Sequence, residues 1–221
     1  MIHLPDPERA FEYENNFYLT CDNQRIAKLI AQYELFRMSA PIAGDIVECG
    51  VFKGSSLIRF VHFRELSGLR TAKRITGFDT FGLFPPSTFE PDNELLDSFL
   101  RSAGNSSISR EQLGGVLEAK GLGENILLVE GDIRETIPAF VRKNRGLSIS
   151  LLNLDVDLYE PSLVILEYLY PLISPGGILM LDDYDKFPGE TRAVDEYFSG
   201  QNIKIRRFPY VKSPSYIIKD N

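Results

Sequence analysis

The chain has 221 residues, 43% hydrophobic and 25% charged, which suits one large domain with a substantial core and excludes a disordered chain. Its 24 basic and 31 acidic residues give a formal charge of −7, which argues against nucleic acid or an anionic membrane surface as a partner. The two cysteines, Cys21 and Cys49, make no metal-ligand spacing, and no apolar run reaches membrane-spanning length, so a cytoplasmic protein is expected.

Residues 1–20 are polar and aromatic by turns and are expected to wrap the surface. From Asp22 to Met38 the positions Ile26, Leu29, Ile30, Tyr33 and Phe36 recur at helical spacing and predict a helix covering the core. Pro41 to Gly44 break it, and DIVECG reads as a short buried strand. A helix over 55–65 follows, then the strands ITGFD, ILLVEGD, ISLLNLD and ILMLDD, with a helix from Pro161 to Ile173 between the last two and a turn at 174–177. IKIRRFP and SPSYIIKD predict a closing β-hairpin. Residues 85–124 break the alternation and read as a lid inserted after the second strand. The expected fold is therefore α/β: a Rossmann-like, doubly wound, mostly parallel sheet ending in an antiparallel hairpin. It forms a single domain over 1–221 with a helical cover over 1–40.

Each predicted strand finishes at an acid: Glu48, Asp79, Asp132, Asp155, Asp182. Ligands of open α/β sheets bind outside this rim. The turn ECGVFKGSS has Gly50 and Gly54 but Phe52 between them, so it is not a dinucleotide fingerprint, and no Lys follows Gly54 as a P-loop requires. Glu48 would repel a pyrophosphate and suit a cation, Asp79 could bridge ribose hydroxyls, and Asp132 could accept from an adenine amino group. A ligand with adenine, ribose and positive charge but no phosphate describes S-adenosylmethionine. Asp155 and Asp157 are two apart and would share a strand face, roughly 6.5 Å apart. A crossover to a neighbouring parallel strand sets Asp155 beside Asp182 and Asp183. So many carboxylates require a cation, and oxygen ligands without His or Cys favour Mg²⁺, with Mn²⁺ or Ca²⁺ also compatible. Asp185 reads as a solvent-facing cap.

ECGVFKGSS, FDTFGLFP, EGDIRETIP, LDVDLYEPS and SPGGILMLDDYDKFPGETRAVDEYF, in this order over 45–198, resemble the macrocin O-methyltransferase family. That resemblance implies a class I, S-adenosylmethionine- and Mg²⁺-dependent enzyme methylating a hydroxyl of a sugar or glycoside. By motif it implies Asp155, Asp182 and Asp183 as metal ligands, and Glu48, Gly50, Gly54, Ser55, Asp79, Asp132 and Ile133 around the methyl donor. Some members use a histidine from the region after the second strand, but His3 and His62 do not match that place, and Asp157 is then the general base. The partners expected are a sugar-containing small molecule and a homodimer or larger homo-oligomer, with no nucleic acid and no membrane. Two alternatives are another metal-dependent enzyme on the same scaffold and a non-catalytic binding protein.

Overall fold

The computed structural model describes residues 2–220. The five apolar runs form β1 Asp45–Cys49, β2 Ile75–Asp79, β3 Ile126–Glu130, β4 Ile149–Leu154 and β5 Ile173–Leu181, and Ser215–Ile218 adds β6. Across the sheet the order is β3-β2-β1-β4-β5-β6, parallel except for the antiparallel β5–β6 edge. Parallel neighbours need crossovers, and these supply helices to both faces. The helices are α1 Ala10–Thr20, α2 Asn23–Ser39, α3 Ser55–Leu66, α4 Asn93–Ala103, α5 Arg110–Ala119, α6 Ile133–Lys143, α7 Tyr159–Leu169 and α8 Pro188–Tyr197.

Apart from the partly buried edge strand β3, the parallel strands are apolar on both sides because both sides are covered. Val47, Leu152 and Leu179 pack with Ile137 of α6, Ile165 of α7 and Val194 of α8. Their neighbours Ile46, Leu151 and Met180 face the other way, onto Leu35 of α2, Phe60 of α3 and Leu113 of α5. Period-two alternation thus feeds two cores rather than one core and solvent. Each fully buried aliphatic side chain contributes about 1.5–3 kcal/mol.

Four expectations are corrected. First, α2 buries Phe36 as expected, but otherwise Ala27, Ala31 and Leu35, while Ile30 and Tyr33 are exposed. The small residues at i, i+4 let the helix lie close to the sheet, and closeness outweighs side-chain size. Second, Ser174–Gly177 is not a turn before the strand but a bulge inside β5. Ile173 pairs with Ile149 and Ile178 already pairs with Leu151, while Gly176 and Gly177 stay bonded to Lys219 of the edge.

Third, the first half of the expected hairpin is reduced to one antiparallel bridge, Arg206 to Tyr216, and β6 pairs instead with β5. Ile203 and Ile205 pack into the core beside α8, and Pro209, without an N–H, cannot extend a ladder. Fourth, residues 85–124 are not all lid. Ile108, Leu113, Leu117 and Leu122 are core residues, so α5 is the β2–β3 crossover and only the stretch through α4 stands over the rim. In contrast, α1 has no buried residue, and Phe11 and Leu19 are exposed.

Gly50 is where the two central strands meet. Its φ is +94°, and a Cβ there would lie 1.6 Å from the carbonyl oxygen of Asp155. No rotamer relieves an overlap with backbone. Gly50→Ala is expected to cost about 2–5 kcal/mol, read as a lower urea midpoint with an unchanged slope; a loss under about 1 kcal/mol would contradict this packing.

Candidate functional site

A cavity of about 450 Å³ opens at the carboxyl ends of the strands. Gly50, Asp79, Asp155 and Asp182 line its floor, and Phe84, Pro85, Pro86 and Phe99 of the 83–104 stretch line its roof. The N-terminal half of α2 supplies one wall through Arg25 and Lys28, with Ser55 and Arg59 of α3 beside them.

The acids converge because the rim is still held by the ladder. The Asp155 N–H donates to Cys49 at 2.9 Å and that of Asp182 to Leu154 at 3.0 Å. One carboxylate oxygen from each of Asp155, Asp182 and Asp183 lies within 4.8 Å of the others. Burial first, then the neighbouring Asp182 charge, pushes the carboxyls of Asp155 and Asp183 above the ordinary range. Asp157 does not share a strand face with Asp155, as the two-residue spacing suggested. β4 ends at Leu154, and Asp157 takes a left-handed φ of +63°. That turn aims its side chain back at the cluster. Burial and then the Asp183 charge raise the Asp157 pKa well above normal, and its side chain meets that of Asp183. Asp185 is turned to solvent, but its carboxylate pairs with Arg207 at 2.8 Å and, among the described residues, accepts no backbone N–H as a cap would.

The other expected site residues divide. Gly50, Ser55, Asp79, Asp132 and Ile133 line the cavity; Glu48 and Gly54 do not. Glu48 is fully buried behind Ser56, whose hydroxyl donates to it at 2.8 Å. Burial, only partly offset by that bond, pushes its pKa up to about 8. Gly54, at φ +82°, starts α3. The Asp79 oxygens are largely used by the protein. Val51 and Phe52 N–H groups donate to Oδ2 at 2.9 and 2.8 Å, and Phe81 N–H to Oδ1 at 2.7 Å. Asp79 therefore shapes the loop after β1. Asp132 caps α6 and holds Arg134 at 2.6 Å, a bond that lowers its pKa. Tyr159 and Tyr184 donate to Glu196 and Asp195, away from the cavity wall.

Four further residues are not foreseen by strand-end reasoning. Lys28 reaches Asp182 Oδ2 at 2.5 Å. Burial opposes its charge, but the combined field of Asp182, Asp155 and Asp183 prevails and raises its pKa. Arg59 stands beside it, donating to Gln32 at 3.0 Å. Fully buried Glu190 accepts the Asp183 N–H at 3.0 Å. Asp92, also fully buried, accepts the N–H groups of Gly189 at 2.7 Å and Tyr159 at 3.3 Å, and the Ser87 hydroxyl at 3.0 Å. It caps α7 and α8 together and ties the roof to both acid-bearing loops. The signal for Lys28 was present: with Gln32, it flanks the Ala27–Ala31–Leu35 stripe.

The residues present fit a divalent cation. An octahedral magnesium site sets its ligand oxygens roughly 3–4 Å apart, close to the observed cluster. Asp182 Oδ1 is buried with no hydrogen-bond partner, so an acceptor remains to be used. The cavity walls likewise fit a nucleoside of drug size.

Glu48 gives a pH signature. It keeps its proton to about pH 8 in the folded chain, against an ordinary value of 4.5. Folding therefore takes up a proton across this interval, and stability falls as pH rises from about 4.5 to about 8. In metal-free buffer, Glu48→Gln is expected to gain on the parent by on the order of 3 kcal/mol between pH 5.5 and 8, read by denaturant titration. Parallel curves would show that Glu48 ionises freely.

The macrocin-O-methyltransferase (TylF) profile matches residues 17–207. The chain is 31% identical over 147 residues to a tetracenomycin-type rhamnosyl 4'-O-methyltransferase of Streptomyces olivaceus, covering 65% of this chain and 54% of that protein. It is 27% identical over 160 residues to demethyldecarbamoylnovobiocin O-methyltransferase of Streptomyces niveus, covering 71% and 58%. The chain thus spans a little over half the length of these curated relatives. The crystal structure of the calicheamicin methyltransferase CalS11 superposes with a TM-score of 0.73 at 28% identity, over 98% of this chain and 88% of that one. Fold, rim and profile agree: the chain belongs to the macrocin O-methyltransferase family.

Proposed function

We propose that the chain is an S-adenosylmethionine- and Mg²⁺-dependent O-methyltransferase acting on a hydroxyl of a sugar or glycoside. The observation that carries this reading is the meeting of Asp155, Asp182 and Asp183 at 4.8 Å or less, with Asp157 against them inside a roofed cavity. The rhamnosyl group named for one relative, and CalS11 being a TDP-rhamnose 3'-O-methyltransferase, support a sugar as the acceptor.

Asp155, Asp182 and Asp183 would hold the ion, which when bound supplies Lewis-acid polarisation of a sugar hydroxyl. Asp157 accepts the hydroxyl proton as general base. Its left-handed turn aims its carboxyl at the cluster, where an acceptor oxygen would sit. Gly50, Ser55, Asp79, Asp132 and Ile133 form the donor side of the cavity. Asp132 offers an acceptor toward an adenine amino group, while Asp79 acts mainly by holding the loop that the donor would pack on. The acidic rim suits a cationic sulfonium donor. The apolar roof, Phe84, Pro85, Pro86 and Phe99, is the part of the insertion that acts as a lid, keeping water from the reacting atoms and presenting a face to a sugar ring.

A mass-shift screen of nucleotide-linked sugars and glycosides with S-adenosylmethionine and Mg²⁺ tests the reaction; no methylated product and no donor binding would refute it. With an acceptor in hand, Asp155→Asn is expected to weaken Mg²⁺ binding more than about 10-fold, with activity partly restored by excess metal. Asp157→Asn is expected to keep donor and metal binding and to slow turnover about 10²–10⁴-fold, with no rescue by metal. Rescue of Asp157→Asn by Mg²⁺ would make it a ligand instead.

A further inference from the structure

Lys28 is not one of the strand-end residues, yet it makes the shortest ion pair to the acid cluster. Its Nζ lies 2.5 Å from Asp182 Oδ2, and only 27% of its side chain is exposed. It comes from α2, which the Ala27 and Ala31 contacts hold close to the sheet. The other oxygen of Asp182 is buried and has no partner. One carboxylate is therefore divided: Oδ2 belongs to a cation that is part of the chain, and Oδ1 is free for another.

The remaining charges around the cluster do not play this part. Lys186 approaches Asp183 at 3.5 Å but is 43% exposed, so water and salt screen it. Arg59 feels the cluster's field but is directed to Gln32. Arg25 is on the cavity wall without an ion pair to these acids. Glu190 and Glu48 lie behind the cluster, and neither bonds Lys28. Among the described residues, Lys28 is the one whose positive charge pairs with the cluster on its low-dielectric side, where a unit charge acts most strongly.

We infer that Lys28 is a tethered counter-cation of the metal site, competing with the incoming ion for Asp182 and thereby setting the site's affinity and its preference for ions of lower charge. This rests on the metal reading above and concerns binding, apart from turnover. With no ion bound, the ammonium offsets the mutual repulsion of Asp155, Asp182 and Asp183, so the ligand geometry is kept. With an ion bound, the same ammonium repels it, and a trivalent ion more than a divalent one. A residue holding Asp182 in place by shape alone would have no such dependence on ion charge.

The test uses the full chain stripped of metal, with Mg²⁺ followed by calorimetry and Tb³⁺ by luminescence. Lys28→Met is expected to bind Mg²⁺ about 10-fold or more tighter, and its gain for Tb³⁺ should exceed its gain for Mg²⁺. Lys28→Arg should stay near the parent, and Lys186→Met should shift affinity much less than Lys28→Met. Weaker or unchanged Mg²⁺ binding in a folded Lys28→Met, or equal gains for both ions, overturns the inference. Lys28→Gln repeats the measurement if the methionine variant does not fold. In the parent, the Lys28 ammonium resonance should move on Mg²⁺ addition, and a static resonance at saturation also overturns the inference. No Mg²⁺ binding by either the parent or Lys28→Met overturns the metal reading itself, and this inference with it.

Discussion

Mutual repulsion among carboxylates crowded onto one sheet rim is the constraint on which the rest of this structure depends. Asp155, Asp182 and Asp183 cannot share so small a volume in a half-dry site unless positive charge or protons intervene. The fold supplies part of the answer. Lys28 enters from α2, the Asp157 and Asp183 carboxyls meet where burial favours their protonated forms, and Glu190 fixes the Asp183 backbone from behind. Much that looks incidental follows from this need. α2 presents alanines to the sheet so that a lysine one position along can reach the rim, and the chain accepts a left-handed aspartate so that a fourth acid can face the other three.

The parallel strands were readable in the sequence because burial on both sides leaves continuous apolar runs, and acids after those runs are easy to see. ISLLNLD and ILMLDD marked the two neighbouring strands of the cluster, and the Gly50 turn marked the third. What escaped was anything that depends on contact between distant segments. Nothing local says that Asp79 will be used by Val51 and Phe52, or that Glu48 will be buried behind Ser56 rather than lining the cavity. A strand-end acid can serve the loop next door as readily as a ligand. The rule that the rim binds ligands identifies the rim, and tertiary contacts decide which of its acids face inward.

The misread helix face has a related cause. Apolar periodicity in α2 points to Phe36, which is fully buried, but also to Ile30 and Tyr33, which are exposed, whereas the N-terminal half of the buried face is made of alanines that score weakly in any hydrophobic count. Side-chain size does not by itself decide burial where close approach of helix to sheet favours small residues. The insertion differs for the opposite reason. Its glycines and serines mark a lid, yet Leu113 and Leu117 recur at helical spacing and place α5 in the core. Polar punctuation hid a crossover that parallel strands β2 and β3 require.

Asp92 divides the molecule into parts that can diverge at different rates. The roof residues Phe84, Pro85, Pro86 and Phe99 meet the cavity but bond none of the rim acids, so their replacement can recut the cavity while the charged floor stays as it is. The tie itself has no such freedom. A Cβ on Gly189 would stand 2.3 Å from an Asp92 oxygen, and losing Asp92 would leave two helix starts uncapped at once. Among descendants of this chain, then, selectivity can drift residue by residue in the roof, whereas the hinge that seats it is a locked pair. Any lineage that abandons one member must rebuild how the roof is attached.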